Sequence, residues 1–226
     1  MLSVSAGDEA VVLLHGLARS PRSMAKMERA LKAEGYQVHN LGYPSRKHPM
    51  DVLATGIRAR ILETTSEATR VHFVTHSLGG ILVRYIQHHH PIPNLGRVVM
   101  LSPPNHGSEV TDALGKLRLY HWLNGPVGQQ LGTRPDGLIA GLPPVDFETG
   151  VLTGDRSINL FLSTLIPGKD DGKVSVESAR LEGMRDFKVV HASHPMIMRK
   201  KKIIRDVKSF LATGKFFRPP ETSPGS

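Results

Sequence analysis

Val71-His72-Phe73-Val74-Thr75-His76-Ser77-Leu78-Gly79-Gly80, continued by Ile81-Leu82-Val83-Arg84-Tyr85-Ile86, reads as a strand, a tight turn and a helix, with a serine at the turn. The first four residues form a short apolar run suited to a strand, and the last six carry apolar residues at helical spacing. A sharp strand-to-helix turn lifts a serine hydroxyl out of the sheet and into a cleft, where a base can reach it. The next N–H, that of Leu78, belongs to a helix N-terminus, which favours developing negative charge. Glycines at 79 and 80 let the helix lie close to the strand, because a side chain there would clash. Taken by themselves, the same residues also suit an ordinary strand–turn–helix with a serine cap.

Segments on either side extend the pattern. Val11-Val12-Leu13-Leu14-His15-Gly16-Leu17 is a β-branched, continuously apolar run ending in His-Gly, as suits a strand buried on both faces of a parallel sheet. Phe187-Lys188-Val189-Val190-His191-Ala192 reads as the last strand, and Ser193-His194-Pro195-Met196 as the start of a final helix with Pro195 at its first position. Gly150-Val151-Leu152-Thr153-Gly154 reads as a strand ending directly before Asp155. Between them, Gly168-Lys169-Asp170-Asp171-Gly172-Lys173-Val174-Ser175-Val176-Glu177-Ser178-Ala179 holds two aspartates at an Asp-Gly turn. The chain has 12 histidines, so a histidine as such carries little information. His88, His89 and His90 end the helix after the serine and point in different directions around it, which suits a solvated helix end and not a metal site.

Arranged in this order, the pieces resemble the α/β-hydrolases, and among them the compact bacterial lipases and esterases. Thr75-His76-Ser77-Leu78-Gly79 is similar to the nucleophile elbow of that family, with Thr75 where glycine is usual. His15-Gly16-Leu17 resembles the oxyanion-hole segment, which implies the backbone N–H groups of Leu17 and Leu78 as the two donors. The Asp-Gly-Lys-Val-Ser-Val-Glu-Ser run resembles the lipase segment that carries the triad acid. That match implies Asp171, with Asp170 where asparagine is common and Asp155 as the alternative. The family's catalytic histidine lies between the last strand and last helix, which selects His194, while His191 falls within the strand pattern. Chain order Ser77, Asp171, His194 is that of the α/β-hydrolases. The resemblance spans residues 11–194 and implies a serine hydrolase cleaving carboxylic esters through an acyl-enzyme, with no cofactor and no metal. A thioesterase, amidase, phospholipase or acyltransferase on the same triad remains open, as does a non-catalytic binding protein of the same fold.

The 226 residues and 39% hydrophobic content suit one domain with a sizeable core, an α/β architecture of mostly parallel sheet flanked by helices. The expected domain covers residues 1–217, followed by a disordered Pro- and Ser-rich tail at 218–226. Helices are expected over Pro21–Glu34 and from about Met50 to Thr65, and strands at Gln37–Leu41, Val71–Val74 and Arg97–Leu101. Residues 103–149 break the alternation and hold an apolar patch at Leu114, Leu117, Leu119, Tyr120, Trp122 and Leu123. The family resemblance implies a lid or acyl-pocket wall there; a packed surface helix with loops is the other reading. No apolar stretch approaches the ~18 residues of a membrane span. The first nine residues lack a basic leader and apolar core, so a cytoplasmic protein is expected, or a secreted or periplasmic one if a leader was removed. Zero cysteines exclude disulfides and a cysteine nucleophile.

Net charge is +9, with Arg199-Lys200-Lys201-Lys202, Arg205 and Lys208 placed on the final helix. Such a face is a solvated surface or a peripheral contact for anionic lipid. Nucleic acid is the weakest partner class, because aromatics are only 5% and no stacking motif accompanies the charge. The expected substrate is a small-molecule or lipid ester: its acyl group is neutral, since no charged residue adjoins the serine turn in the chain, and short to medium in length, since 226 residues leave little material for a long tunnel.

Overall fold

The computed structural model describes residues 8–158 and 163–219. Six strands form one sheet: β1 (Glu9–Leu14), β2 (Gln37–Leu41), β3 (Arg70–His76), β4 (Leu95–Leu101), β5 (Thr149–Gly154) and β6 (Asp186–Val190). All neighbours are parallel, in the order β2-β1-β3-β4-β5-β6. Parallel neighbours require crossovers, and α1 (Ala25–Lys32), α2 (Met50–Thr64) and α3 (Leu78–His89) supply the first three.

Both faces of the sheet are covered, which is why its central stretches Ala10–Leu14 and Val98–Leu101 are continuously apolar, whereas the edge strands β2 and β6 carry Gln37, His39, Asn40, Asp186 and Lys188. Val11, Leu13, Val74, Val99 and Leu152 pack on one side with Met27 and Leu31 of α1. The same cluster includes Ile203, Val207 and Phe210 of the final helix, Lys201–Thr213. Val12, Leu14, Phe73, Val98 and Met100 face the other side, against Leu53, Ile57 and Ile61 of α2 and Ile81, Leu82 and Ile86 of α3. Each such side chain, fully buried, contributes about 1.5–3 kcal/mol relative to exposure. One of the buried polar residues of β3 is fully satisfied: His72 Nδ1 accepts the Arg97 N–H at 2.8 Å and Nε2 donates to Glu9 Oε2 at 3.2 Å.

Three expectations are corrected. The first helix opens as a 3₁₀ turn, Pro21–Met24, before α1 begins. The final helix starts at Lys201, not at Pro195, so Arg199 and Lys200 precede it. There the His194 N–H is committed to the Asp171 carbonyl, and the Ser193 carbonyl takes the N–H groups of both Met196 and Ile197. That closes a separate turn, and Lys200 is extended (φ −77°, ψ 132°) before the helix. Arg218, placed in the expected tail, forms a bidentate pair with Asp186 at 2.9 and 2.7 Å; residues 220–226 lie outside the described residues.

Between β4 and β5 the chain forms α4 (Glu109–Leu114) and α5 (Arg118–Gln129), with no strand among the described residues. Buried Arg84 of α3 anchors this segment by donating to the carbonyls of Asn105 (2.9 Å), Leu142 (3.2 Å) and Pro143 (3.3 Å). Burial pulls its guanidinium down to about 10. The α5 helix kinks at Gly125 (φ 66°), where a Cβ would stand 1.9 Å from the Arg46 carbonyl oxygen. A one-turn helix, α6 (Val176–Ala179), and the 13-residue final helix, α7 (Lys201–Thr213), follow. Among the described residues no helix is long and apolar enough to cross a membrane.

Candidate active site

The carboxyl ends of β1, β3, β4, β5 and β6 converge on one edge of the sheet, and Ser77 stands there, directly after β3. Its backbone is held at φ 52°, ψ −120°, a conformation that a residue with a Cβ adopts at a cost of about 1–3 kcal/mol. Two contacts maintain it: the Ser77 N–H donates to the Leu101 carbonyl at 2.9 Å, and its own carbonyl accepts the Gly80 N–H at 2.9 Å. The Ser77 hydroxyl makes no capping bond to α3, so the simple cap reading does not describe it. The turn is tight because α3 presses on β1. A Cβ at Gly79 would lie 2.6 Å from the Leu14 carbonyl oxygen, so only glycine fits. Thr75 is fully buried beneath the turn, its hydroxyl 3.5 Å from the Val99 carbonyl, and fills space that glycine would leave empty.

His15-Gly16-Leu17 leaves β1 beside that turn. The His15 ring stacks on Tyr43 with centroids 4.3 Å apart, and Tyr43 donates its hydroxyl to the His15 carbonyl. His15 Nδ1 donates to the Gly16 carbonyl at 2.9 Å, which leaves Nε2 to receive the Tyr43 N–H at 3.4 Å. A Cβ on Gly16 would meet His76 Nδ1 at 2.8 Å. The loop is therefore clamped from below by Tyr43 and laterally by His76. Leu78 is the first residue of α3, so its N–H has no intrahelical acceptor.

Asp171 and His194 meet on the loops after β5 and β6. His194 Nδ1 stands 2.9 Å from Asp171 Oδ2, and Asp171 Oδ1 accepts the N–H groups of Lys173 (3.1 Å) and Val174 (3.0 Å). Asp171 is completely buried and His194 nearly so. Burial pushes the Asp171 carboxyl up, but the His194 charge and hydrogen bond, with smaller contributions from Ser102 and the Val174 N–H, outweigh it and hold the group below its ordinary value. Asp170 serves the loop: its Oδ1 accepts the Gly172 N–H at 2.7 Å. Asp155 pairs elsewhere, its Oδ1 3.1 Å from Nδ1 of His191, the exposed residue directly after β6.

The His194 ring lies 4.8 Å from that of His76, the residue directly before Ser77, and His76 Nε2 donates to the His194 carbonyl at 3.0 Å. Burial first, then the His194 charge, holds the His76 pKa well below its ordinary value, so His76 is a neutral strut. Nothing in its spacing marks His76, Tyr43 or Arg84 as site supports; tertiary contacts alone reveal them.

Ser77 opens into a cavity of about 300 Å³ lined by Leu17, Val110, Leu114, Tyr120, Leu123 and Leu131. Part of the expected apolar patch therefore faces the serine, whereas Leu119 and Trp122 are largely exposed and Leu78 is fully buried in the core. Lys173 and Arg46 line the same cavity, so charge does adjoin the turn, contrary to the reading of the chain alone.

Residues 11–201 match the model of the alpha/beta hydrolase family. Among solved structures, the mature lipase BlEst2 of Bacillus licheniformis is 22% identical, with 92% of each chain covered and a TM-score of 0.67. Phospholipase PlaB of Legionella pneumophila is 19% identical over 82% of this chain and 53% of its own, with a TM-score of 0.67. An esterase from Exiguobacterium antarcticum is 15% identical, with 91% and 92% covered and a TM-score of 0.60. At these identities the likeness is one of fold. No curated protein matches the chain.

Proposed function

The chain belongs to the alpha/beta hydrolase family, and on that footing we propose that it is a serine hydrolase cleaving carboxylic esters, with Ser77, His194 and Asp171 as its triad. The observation that carries this reading is the strained, uncapped Ser77 at the sheet edge where the buried Asp171–His194 pair also lies. Strain of that kind persists where surrounding structure over-determines it, as at a reacting residue.

His194 donates from Nδ1 to Asp171, which leaves its Nε2 lone pair as the base. It takes the proton of Ser77 as Oγ attacks the ester carbonyl. Asp171 fixes the imidazole tautomer and stabilises it once charged. The N–H groups of Leu17 and Leu78 receive the oxyanion; one such donor is worth about 3 kcal/mol in a dry site. His194 then protonates the departing alkoxide, and water repeats the sequence to release the acid and restore Ser77. The Leu17–Leu131 cavity suits a short to medium acyl chain, and α4–α5 form the wall or lid of that cavity.

Hydrolysis of p-nitrophenyl esters from acetate to palmitate, with a phosphonate inhibitor, tests the assignment. Turnover, a phosphonate adduct on Ser77, and loss of roughly 10³-fold or more in Ser77→Ala are expected. A panel without turnover, and without an adduct at Ser77, would leave a binding protein of the same fold.

A further inference from the structure

A second hollow adjoins the serine cavity. It measures about 450 Å³ and is lined by Arg19, Arg46, Lys47, Tyr43, Ser45 and Trp122. Ala18 and Arg46 line both spaces, so they are two arms of one cleft, one apolar and one cationic. Lys173 enters the apolar arm two residues after Asp171, completing a set of four cations around the serine edge.

None of the four has a carboxylate partner among the described residues; elsewhere Arg97 and Arg185 pair with Glu148, Lys188 with Asp206, Lys208 with Glu34 and Arg218 with Asp186. Arg19 and Lys173 repel one another across the cleft. Lys173 keeps access to solvent through the mouth, yet the cleft walls strip enough hydration to lower its pKa, Arg19 lowers it further, and Asp171 only partly opposes them. Arg19 and Lys173 both act on His76, so both charges reach the serine turn. The loops that carry them are held in place. Ala18 sits at φ 55°, its N–H donating to Ser45 Oγ at 3.2 Å, and the Arg19 N–H donates to the Gly16 carbonyl at 3.2 Å. Gly125 packs against the Arg46 backbone from α5. Four unpaired like charges on braced loops are a repulsion that an anionic ligand removes.

We propose that the Arg19–Arg46–Lys47 arm binds an anionic group on the alcohol side of the ester, so that the substrates are amphiphilic esters joining an apolar acyl chain to a phosphate- or carboxylate-bearing alcohol. The inference rests on the serine hydrolase reading and specifies its substrate class. The acyl chain occupies the Leu17–Leu131 arm, and the carbonyl lies at the junction beside Ser77. The departing alcohol, protonated by His194, leaves through the cationic arm. The bond broken is the acyl C–O bond; one water is consumed, and the acid and the anionic alcohol are released.

A matched pair tests this: 1-octanoylglycerol and 1-octanoylglycerol 3-phosphate, both as monomers, assayed with the full chain. The phosphate ester should show a kcat/KM at least tenfold higher at low ionic strength, with the ratio falling as salt screens the cleft. In Arg46→Gln and Lys47→Gln the ratio should approach one. Calorimetric titration with glycerol 3-phosphate supplies a readout independent of turnover, with saturable binding weakened in the same variants. Equal hydrolysis of the two esters overturns the subsite and leaves the serine reading intact. Binding without hydrolysis of either ester keeps the anion subsite and overturns the serine reading. A preference seen only on anionic vesicles, and not with monomers, assigns the cations to surface docking and overturns the subsite.

Discussion

Replacing Asp171 with asparagine preserves the shape of the side chain while changing its charge and one terminal atom. Oδ1 accepts two backbone N–H groups, from Lys173 at 3.1 Å and Val174 at 3.0 Å, and Oδ2 faces His194 Nδ1 at 2.9 Å. An amide has one acceptor oxygen, and the two fixed backbone donors claim it. The NH₂ group then takes the place of Oδ2 and aims a donor at Nδ1. His194 relieves that donor–donor contact by carrying its proton on Nε2, so the nitrogen available to a serine has no lone pair. The predicted loss in kcat is about 10⁴-fold, the scale of a wrong imidazole tautomer, which is about 5 kcal/mol of barrier. The fold should survive, because both backbone bonds are retained, and a melt by circular dichroism checks that. Steady-state hydrolysis of a short p-nitrophenyl ester measures the rest. Asp155→Asn serves as the comparison: its partner is the exposed His191, and a change under about threefold is expected. Asp171→Asn activity within tenfold of the parent, or a larger loss in Asp155→Asn, would refute the tautomer argument.

Thr75→Gly restores the glycine usual ahead of the serine but empties a fully buried site and loosens β3, so a loss of about 1–3 kcal/mol with activity largely kept is expected. A higher melting temperature would show that threonine is strained there. Stability should also fall on mild acidification. Buried His76, flanked by His194, Arg19 and Lys173, has its pKa lowered well below 6.5, and His15 is shifted in the same direction. The unfolded chain then binds more protons below 6.5, so stability is full above that pH and is lost as pH drops toward the folded-state value. Melting temperatures measured from pH 7.5 to 5 should decline, and His76→Gln should flatten the slope; a flat parent profile would contradict the burial argument.

The sheet was legible because burial on both faces demands apolar residues at consecutive positions; Val11–Leu14 meets that demand outright, and Val71–Val74 meets it at every position but His72. The serine turn was legible for a similar reason: Gly79 must pass the Leu14 carbonyl at a distance no side chain permits. Element ends were less so. Pro195 suits a helix start by its own geometry, yet the Ser193 carbonyl closes a separate turn there by accepting the Met196 and Ile197 N–H groups, the bond from the His194 N–H to the Asp171 carbonyl anchors that turn, and the helix begins only at Lys201. That bond depends on β5 and β6 being neighbours, which no local pattern encodes. The charge around the cleft was illegible on the same ground. A net charge of +9 is visible in composition, but the cleft cations come from three loops, at 18–19, 44–47 and 172–174, that only the sheet topology brings together. The expectation of a neutral acyl group, which took no account of the alcohol side, rested on the immediate neighbours of Ser77 in the chain. In a parallel sheet, whose successive crossovers return every strand end to one edge, the neighbours that decide specificity come from the ends of other strands.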